Sequence, residues 1–240
     1  MKKEFISVII AAGGSGSRMK CGKDENGNDK NKMFLDLSGK SILARSLIIF
    51  EKFDKADEIV VVTRECDIKE VESIKEKYNI TKLKTIVKGG ATRQESVLNG
   101  LAAISKKADY VLIHDGARCL IDKKDIKTCL ECAKKYGAAA PGVRVKDSIK
   151  KLDKDGFIEC DIERENLINI QTPQIFSAKE IINAHLKAKE EGFQTTDDTA
   201  LFTRFGKKVY ITEGSYENLK VTTAEDLILA EQILNKREML

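Results

Sequence analysis

Short runs of β-branched and other apolar residues return along this chain with amphipathic helical stretches between them, an alternation that restricts the fold to a sheet wound with helices. Strands are expected at residues 7–12, 58–63, 84–87, 110–114 and 138–143, with helices at 42–53, 68–78, 94–104 and 124–136 between them. Repeated βαβ units of this kind predict an α/β domain built on a mostly parallel sheet. Past Pro141 the pattern changes. Residues 145–152 and 157–162 read as short strands around Asp153-Lys154-Asp155-Gly156, a hairpin turn with glycine where positive φ is needed. A lone hairpin is marginal in water, so this β-arm at about 145–165 is expected to pack on a partner subunit. The α/β pattern then resumes, with helices at 178–190 and 198–205 around a polar loop at 194–199, a strand at 208–212 and a last helix at 223–236. That helix opens on Thr222-Thr223-Ala224-Glu225-Asp226, a threonine cap followed by acids.

Composition narrows the class. The 240 residues, 42% of them hydrophobic, predict one globular domain over 1–240 and exclude general disorder. No apolar stretch approaches the roughly 18 residues of a membrane helix, and the start of the chain lacks a signal-peptide cleavage pattern, so a cytoplasmic protein is expected. A net charge of +4 with lysines and acids interleaved argues against a nucleic-acid groove or a membrane patch. Six scattered cysteines in such a chain are expected to stay reduced. Cys129 and Cys132 form a C-x-x-C without a second pair or a nearby histidine, and read as packing thiols on one helix.

Chemistry concentrates just after the strands. Ala11-Ala12-Gly13-Gly14-Ser15-Gly16-Ser17-Arg18-Met19 follows the first of them, and its glycines and arginine suit a polyphosphate. The same segment also reads as a plain strand-to-helix turn. It is neither a Walker loop, since no Gly-Lys-Ser/Thr ending is present, nor the dinucleotide fingerprint, which needs glycine where Met19 stands. Lys32 precedes the apolar Met33-Phe34-Leu35, which would anchor its stem and aim its ammonium with the loop; taken alone it also reads as a surface lysine. Gly89-Gly90-Ala91-Thr92-Arg93-Gln94-Glu95-Ser96 is a tight turn entering a helix, and His114-Asp115-Gly116-Ala117-Arg118 closes a strand. In an open α/β sheet all three segments fall at the carboxyl ends of strands, where ligands bind. Asp115 there suits Mg²⁺ shared with phosphates, or else an ion pair with Arg118. His114 reads as a packed, hydrogen-bonded residue.

Together with Ala138-Ala139-Ala140-Pro141-Gly142-Val143, Lys146-Asp147-Ser148, Arg164, Gln171-Thr172-Pro173-Gln174, Thr196-Asp197-Asp198, Gly214-Ser215 and Asn218-Leu219-Lys220-Val221-Thr222-Thr223, these motifs resemble, in order and over nearly the whole chain, the 2-C-methyl-D-erythritol 4-phosphate cytidylyltransferase family of the non-mevalonate isoprenoid pathway. The resemblance implies a Rossmann-like sheet of nucleotidyltransferase type, a homodimer joined through the hairpin arm, Mg²⁺ as cofactor, and transfer of CMP from CTP to a polyol phosphate. It implies that Arg18, Lys32, Lys220 and Arg164 are catalytic. Ala11, Ala12, Gly13, Gly14 and Gly16 would contact CTP, Gly90 and Ser96 would form the base pocket, and Asp115 would serve the metal and substrate. Arg118, Ser148, Arg164 and Thr196 would bind the acceptor, with Arg118, Ser148 and Arg164 serving the neighbour's site.

Departures from the family pattern are Met33 in place of glutamine, a longer segment between Arg18 and Lys32, Cys119 in place of proline and Ser148 in place of threonine. The rival within the fold is ribitol 5-phosphate cytidylyltransferase, less similar over 138–148, 171–174 and 196–200. An NAD-dependent oxidoreductase fails on Met19. A non-catalytic phosphate-binding module would leave the basic residues unexplained.

Overall fold

The computed structural model describes residues 3–14, 19 and 31–239. Its elements in chain order are β1 (Ile6–Ala11), β2 (Asp36–Leu37), β3 (Lys40–Ser41), α1 (Ile42–Glu51), β4 (Glu58–Thr63), α2 (Ile68–Lys77), β5 (Leu83–Lys88), α3 (Arg93–Ala103), β6 (Tyr110–Asp115), α4 (Lys123–Tyr136) and β7 (Ala138–Arg144). Then come β8 (Ile149–Leu152), β9 (Ile158–Ile162), β10 (Ile168–Ile170), β11 (Gln174–Ser177), α5 (Ala178–Glu190), α6 (Asp198–Arg204), β12 (Tyr210–Glu213) and α7 (Ala224–Glu238). Side chains cap the starts of α1, α3, α4, α6 and α7, and Thr223 with Asp226 forms a complete capping box.

β1 lies between β4 and β6 and runs parallel to both; β5 is parallel to β4, and β12 to β7. Side chains alternate across this sheet, as a buried strand requires. Val8 and Ile10 of β1, Ile59 and Val61 of β4 and Leu112 of β6 join one core with Leu43, Leu47 and Phe50 of α1 and Ile126 and Leu130 of α4. Ile9, Val60, Val62, Val111 and Ile113 enter the opposite core with Val97 and Leu101 of α3, Ile181 of α5 and Leu201 of α6. The connection through α1 covers one face and that through α3 the other, which opens a crevice beyond the carboxyl ends of β1 and β6.

Two strands of the main sheet are absent from the sequence expectation. β10 and β11 both run antiparallel to β7, with Ile170 opposite Gly142 and Ile175 opposite Ala139, so they continue one line along it; β11 also pairs with β6. At three and four residues they carry too little periodicity to be seen locally. The expected strand at 145–152 begins only at Ile149, because pairing with β10 carries β7 through Arg144. β8 and β9 form the separate expected hairpin, and Gly156 takes φ +92° at its turn.

α3 sits so close to the sheet that a Cβ on Gly100 would fall 2.8 Å from Ile9 Cγ2 and 2.9 Å from Val62 Cγ2. Gly100→Ala is therefore expected to destabilise by about 1–3 kcal/mol through overpacking, in spite of the better helix propensity of alanine. Urea unfolding that showed equal or greater stability would refute this close approach.

Candidate functional site

A cleft of about 420 Å³ opens at the carboxyl ends of β1 and β6. Ala11, Ala12, Gly13 and Gly14 form its floor, Lys32 and Lys220 contribute cations from two segments distant in sequence, and Gly90, Arg93, Ser96 and Asp115 complete the wall. Five of the sequence segments thus converge here. Arg18 and Gly16, expected beside them, lie outside the described residues.

The Ala12 N–H donates to Val62 O at 2.7 Å and so extends β1 to the edge of the cleft. A Cβ on Gly14 would meet nothing within 4 Å, so no neighbour in the described structure demands glycine there; a ligand approaching the backbone would. Gly90 is different, because a Cβ there would lie 2.3 Å from Glu95 Cβ. Its turn is closed by the Gly90 N–H donating to Ser96 Oγ at 3.0 Å, while the Ser96 hydroxyl donates to Thr92 O at 2.8 Å.

Lys32 is buried, not a surface lysine: its stem is packed and its Nζ donates to Val221 O at 2.7 Å. The 218–222 segment reaches the sheet because the Val221 N–H donates to Ala117 O, which brings Lys220 within 2.7 Å of Asp115 Oδ2. On the far side of Asp115, Arg93 Nε stands 3.5 Å from Oδ1 and Arg93 Nη1 stands 2.8 Å from Asp198 Oδ2. Burial opposes the charge on Asp115, but the Arg93 guanidinium and Lys220 ammonium more than offset it and hold the carboxyl well below the usual range. Asp198 is likewise buried, and Arg93 with His185, whose Nε2 lies 3.0 Å from Asp198 Oδ1, holds it down. Burial alone would weaken the charge on Arg93, yet the two carboxylates raise its pKa above normal.

The expected Asp115–Arg118 alternative does not form. Arg118 donates instead to Asn218 O at 2.8 Å and Ile170 O at 3.3 Å, and its buried Nε finds no partner among the described residues. The reason is that backbone carbonyls of two distant segments, Ile170 at the end of β10 and Asn218, take up the guanidinium. Ser148 and Arg164 lie exposed on and beside the hairpin, where Arg164 Nη1 donates to Lys146 O; Thr196 is exposed ahead of α6. None of these four lines the cleft. Arg93 and Asp198, by contrast, meet beside the cleft although no site role is expected of either from sequence, because a buried bridge over 105 positions leaves no local sequence signal.

His114 is packed as expected. Its Nε2–H donates to Arg118 O at 3.2 Å and its Nδ1 accepts from the Thr172 hydroxyl at 3.0 Å, the neutral tautomer. Burial lowers its pKa from 6.5 to about 4. The unfolded chain therefore takes the proton first, and stability falls with pH from about 6.5 down to about 4, by up to about 1.4 kcal/mol per unit from this residue. His114→Gln is expected to remove that slope while lowering stability at pH 7; urea unfolding at pH 7 and pH 5 checks it, and an unchanged slope refutes it.

Among the described residues no group of three or more His, Cys, Asp or Glu is placed to hold a metal, and no helix is long and apolar enough to cross a membrane. Cys129 is buried on α4, its thiol pushed up to about 12 by burial, and Cys132 is half-buried on the same helix.

Comparison with known proteins gives a consistent result. The family model described as IspD, 2-C-methyl-D-erythritol 4-phosphate cytidylyltransferase, matches residues 6–236. The chain is 47% identical to the protein of that name from Clostridium acetobutylicum, over 97% of this chain and 98% of the relative. It is 43% identical to the one from Caldanaerobacter subterraneus, over 96% and 99%. Among solved structures it is similar to 4-diphosphocytidyl-2C-methyl-D-erythritol synthase of Anaerococcus prevotii, with a TM-score of 0.83 and 31% identity over 97% of this chain and 96% of that one. The corresponding Thermus thermophilus enzyme gives a TM-score of 0.76 at 27% identity, over 95% and 98%.

Proposed function

Because the chain belongs to the 2-C-methyl-D-erythritol 4-phosphate cytidylyltransferase family, we propose that the cleft at the ends of β1 and β6 is where its reaction takes place. The protein is a nucleotidyltransferase that moves CMP from CTP to 2-C-methyl-D-erythritol 4-phosphate. A phosphate oxygen of the acceptor attacks the α-phosphorus of CTP, the bond from that phosphorus to the bridging oxygen breaks, and pyrophosphate leaves with the electron pair. Such a transfer is governed by positioning and by cations facing the charge that develops on the phosphoryl oxygens. The observation that carries the assignment is the pair Lys32 and Lys220, two cations from distant segments lining one cleft with a run of small residues.

Ala11, Ala12, Gly13 and Gly14 let the triphosphate approach the backbone, with Gly16 and Arg18 continuing the loop. Lys32 holds the triphosphate. Lys220, held by Asp115, lies where the α-phosphate and the acceptor phosphate meet. Gly90 and Ser96 form the base pocket. The carboxylate of Asp115 is the one acid lining the cleft among the described residues, and both of its oxygens face cations. That donor set suits a Mg²⁺ carried chiefly by the nucleotide's own phosphates, with Asp115 as a single protein oxygen, and does not suit a protein cage. Held in that way, Mg²⁺ would neutralise phosphate charge.

The hairpin supports a homodimer of single-domain subunits. Leu152, Phe157 and Ile158 are 56%, 72% and 64% exposed on a two-stranded arm, an apolar surface suited to a second copy. In that arrangement Ser148, Arg164 and Arg118 serve the neighbour's acceptor pocket, with Thr196 beside them. Arg164→Ala is expected to raise the KM for the acceptor by about tenfold or more with kcat for CTP turnover less affected, through loss of a charge-assisted phosphate contact. An unchanged acceptor KM refutes the role. No membrane or nucleic-acid partner enters this reading, and the cytoplasm is its setting.

The direct test is pyrophosphate release by purified protein with Mg²⁺ and CTP, comparing methylerythritol 4-phosphate with ribitol 5-phosphate, and CTP with UTP. Release with methylerythritol 4-phosphate and CTP alone is expected; release only with ribitol 5-phosphate overturns the acceptor, and silence with both overturns the site.

A further inference from the structure

Lys32 is useful to a phosphate only if its ammonium is already in place, since a lysine stem carries about 2 kcal/mol of rotamer freedom. Its far end is fixed by Val221 O. Its near end begins at Asn31, which is 3% exposed and whose side-chain amide has three partners. Asn31 Nδ2 donates to Ala12 O at 3.0 Å and to Asp67 Oδ2 at 2.8 Å, and Asn31 Oδ1 accepts from the Met33 N–H at 3.1 Å. One amide thus links the floor of the cleft, the turn that carries Lys32 and the segment after β4.

Asp67 is the anchor of this link. It closes a 3-10 turn, Glu65–Asp67, is 7% exposed, and is gripped by Arg64 with Nε on Oδ2 at 2.6 Å and Nη2 on Oδ1 at 2.8 Å. A carboxylate held in this bidentate manner has a fixed plane, so the oxygen that receives Asn31 is fixed as well. None of Arg64, Asp67 and Asn31 lines the cleft. Asn31 meets it through Ala12 and through the Lys32–Met33 turn.

We propose that Asn31 and Asp67 are positioning residues for cytidylyl transfer, a strut that locks the Lys32 turn to the Ala12–Gly14 floor so that the ammonium and the floor's backbone address the triphosphate as one unit. The proposal rests on the reading of Lys32 as a triphosphate contact. Its action is on the geometry of the transition state: a misplacement of about 1 Å away from the chemistry can lower a rate by about a hundredfold.

The test compares wild type, Asn31→Ala, Asn31→Asp, Asp67→Asn and the double variant that combines Asn31→Asp with Asp67→Asn, each with Mg²⁺, CTP and methylerythritol 4-phosphate, measuring kcat, both KM values and melting temperature. Asn31→Ala, which removes the link without adding charge, is expected to lower kcat by about 10–100-fold with the KM for the acceptor within about twofold. Asn31→Asp sets a carboxylate against that of Asp67 and should be the weakest variant. In the double variant the amide at position 67 can donate to the carboxylate at position 31, which relieves the like-charge contact, but a carboxylate has no donor for Ala12 O, so the link to the cleft floor stays broken and kcat should remain at least about tenfold below wild type. Variants that melt lower but keep the wild-type kcat would show a merely structural link and overturn the proposal, as would a double variant with the kcat of wild type. Should Asn31→Asp fail to fold, Asn31→Ala and Asp67→Asn carry the decision through the same kcat readout. A wild type that releases no pyrophosphate overturns the cytidylyl-transfer reading itself, and the strut with it.

Discussion

Lys32→Met is expected to lower kcat by about 10²–10³-fold, the loss typical when one preorganised donor to a transition-state oxyanion is removed. Methionine keeps most of the apolar stem that packs beneath the cleft and discards only the ammonium, so the melting temperature should stay within a few degrees of wild type. The structural losses include the bond from Nζ to Val221 O, worth about 1.5 kcal/mol for a charged donor. A variant that retains at least half of the wild-type kcat would remove Lys32 from the reaction, and circular dichroism on the same sample separates that result from misfolding.

The largest effect on stability is expected from Arg93→Leu. Arg93 joins two buried carboxylates on different segments, Asp115 at the end of β6 and Asp198 at the start of α6. With the guanidinium gone, Asp198 keeps His185 and Asp115 keeps Lys220, but each loses its buried cation on the other side. Removing one partner of a buried pair costs about 3–5 kcal/mol, which for a chain of this size lowers the melting temperature by roughly 10 °C. The sign of the pH dependence follows. Both carboxyls have folded pKa values below their ordinary ones, so they contribute stability that is present above about pH 4 and lost as pH falls through the folded values. Without Arg93 those folded values move up toward the ordinary range, and acid unfolding should begin at a higher pH than in wild type. Thermal melts from pH 7 to pH 3 test both parts; a shift under about 2 °C at neutral pH would show that the bridge contributes little. Arg93→Lys, which keeps the charge without the planar fork, should fall between the two.

Much of this molecule was legible before any coordinates. The helices at 42–53, 68–78, 94–104, 124–136 and 178–190 follow from apolar spacing, and the observed α1 to α5 differ from them by at most two residues at an end. Strand β4 at Glu58–Thr63 carries the continuous β-branched run Ile59–Thr63 with all six residues buried, as a doubly covered parallel sheet requires. The glycine-rich segments could be placed at strand ends because their small residues interrupt such runs. The hairpin could be read from Asp153–Gly156, and its need for a covering surface from its isolation.

What stayed hidden depends on partners distant in sequence. β10 and β11 are strands only because β7 and β6 are there to pair with them. Arg118 looked like a partner for Asp115 from a spacing of three residues, but the carbonyls of Ile170 and Asn218 claim it, and Arg93 and Lys220 take the carboxylate instead. The sequence by itself determined the wound α/β class, the strand ends on which chemistry could sit and the residue types suited to a triphosphate, because these rest on periodicity and on local backbone freedom. The tertiary structure alone decided which cation faces which carboxylate, that Lys32 is buried against Val221, and that Asn31 and Asp67 hold its turn to the cleft floor. Electrostatic pairing and hydrogen bonding act over about 3 Å in space, and no local pattern records which distant segments the fold brings within that distance.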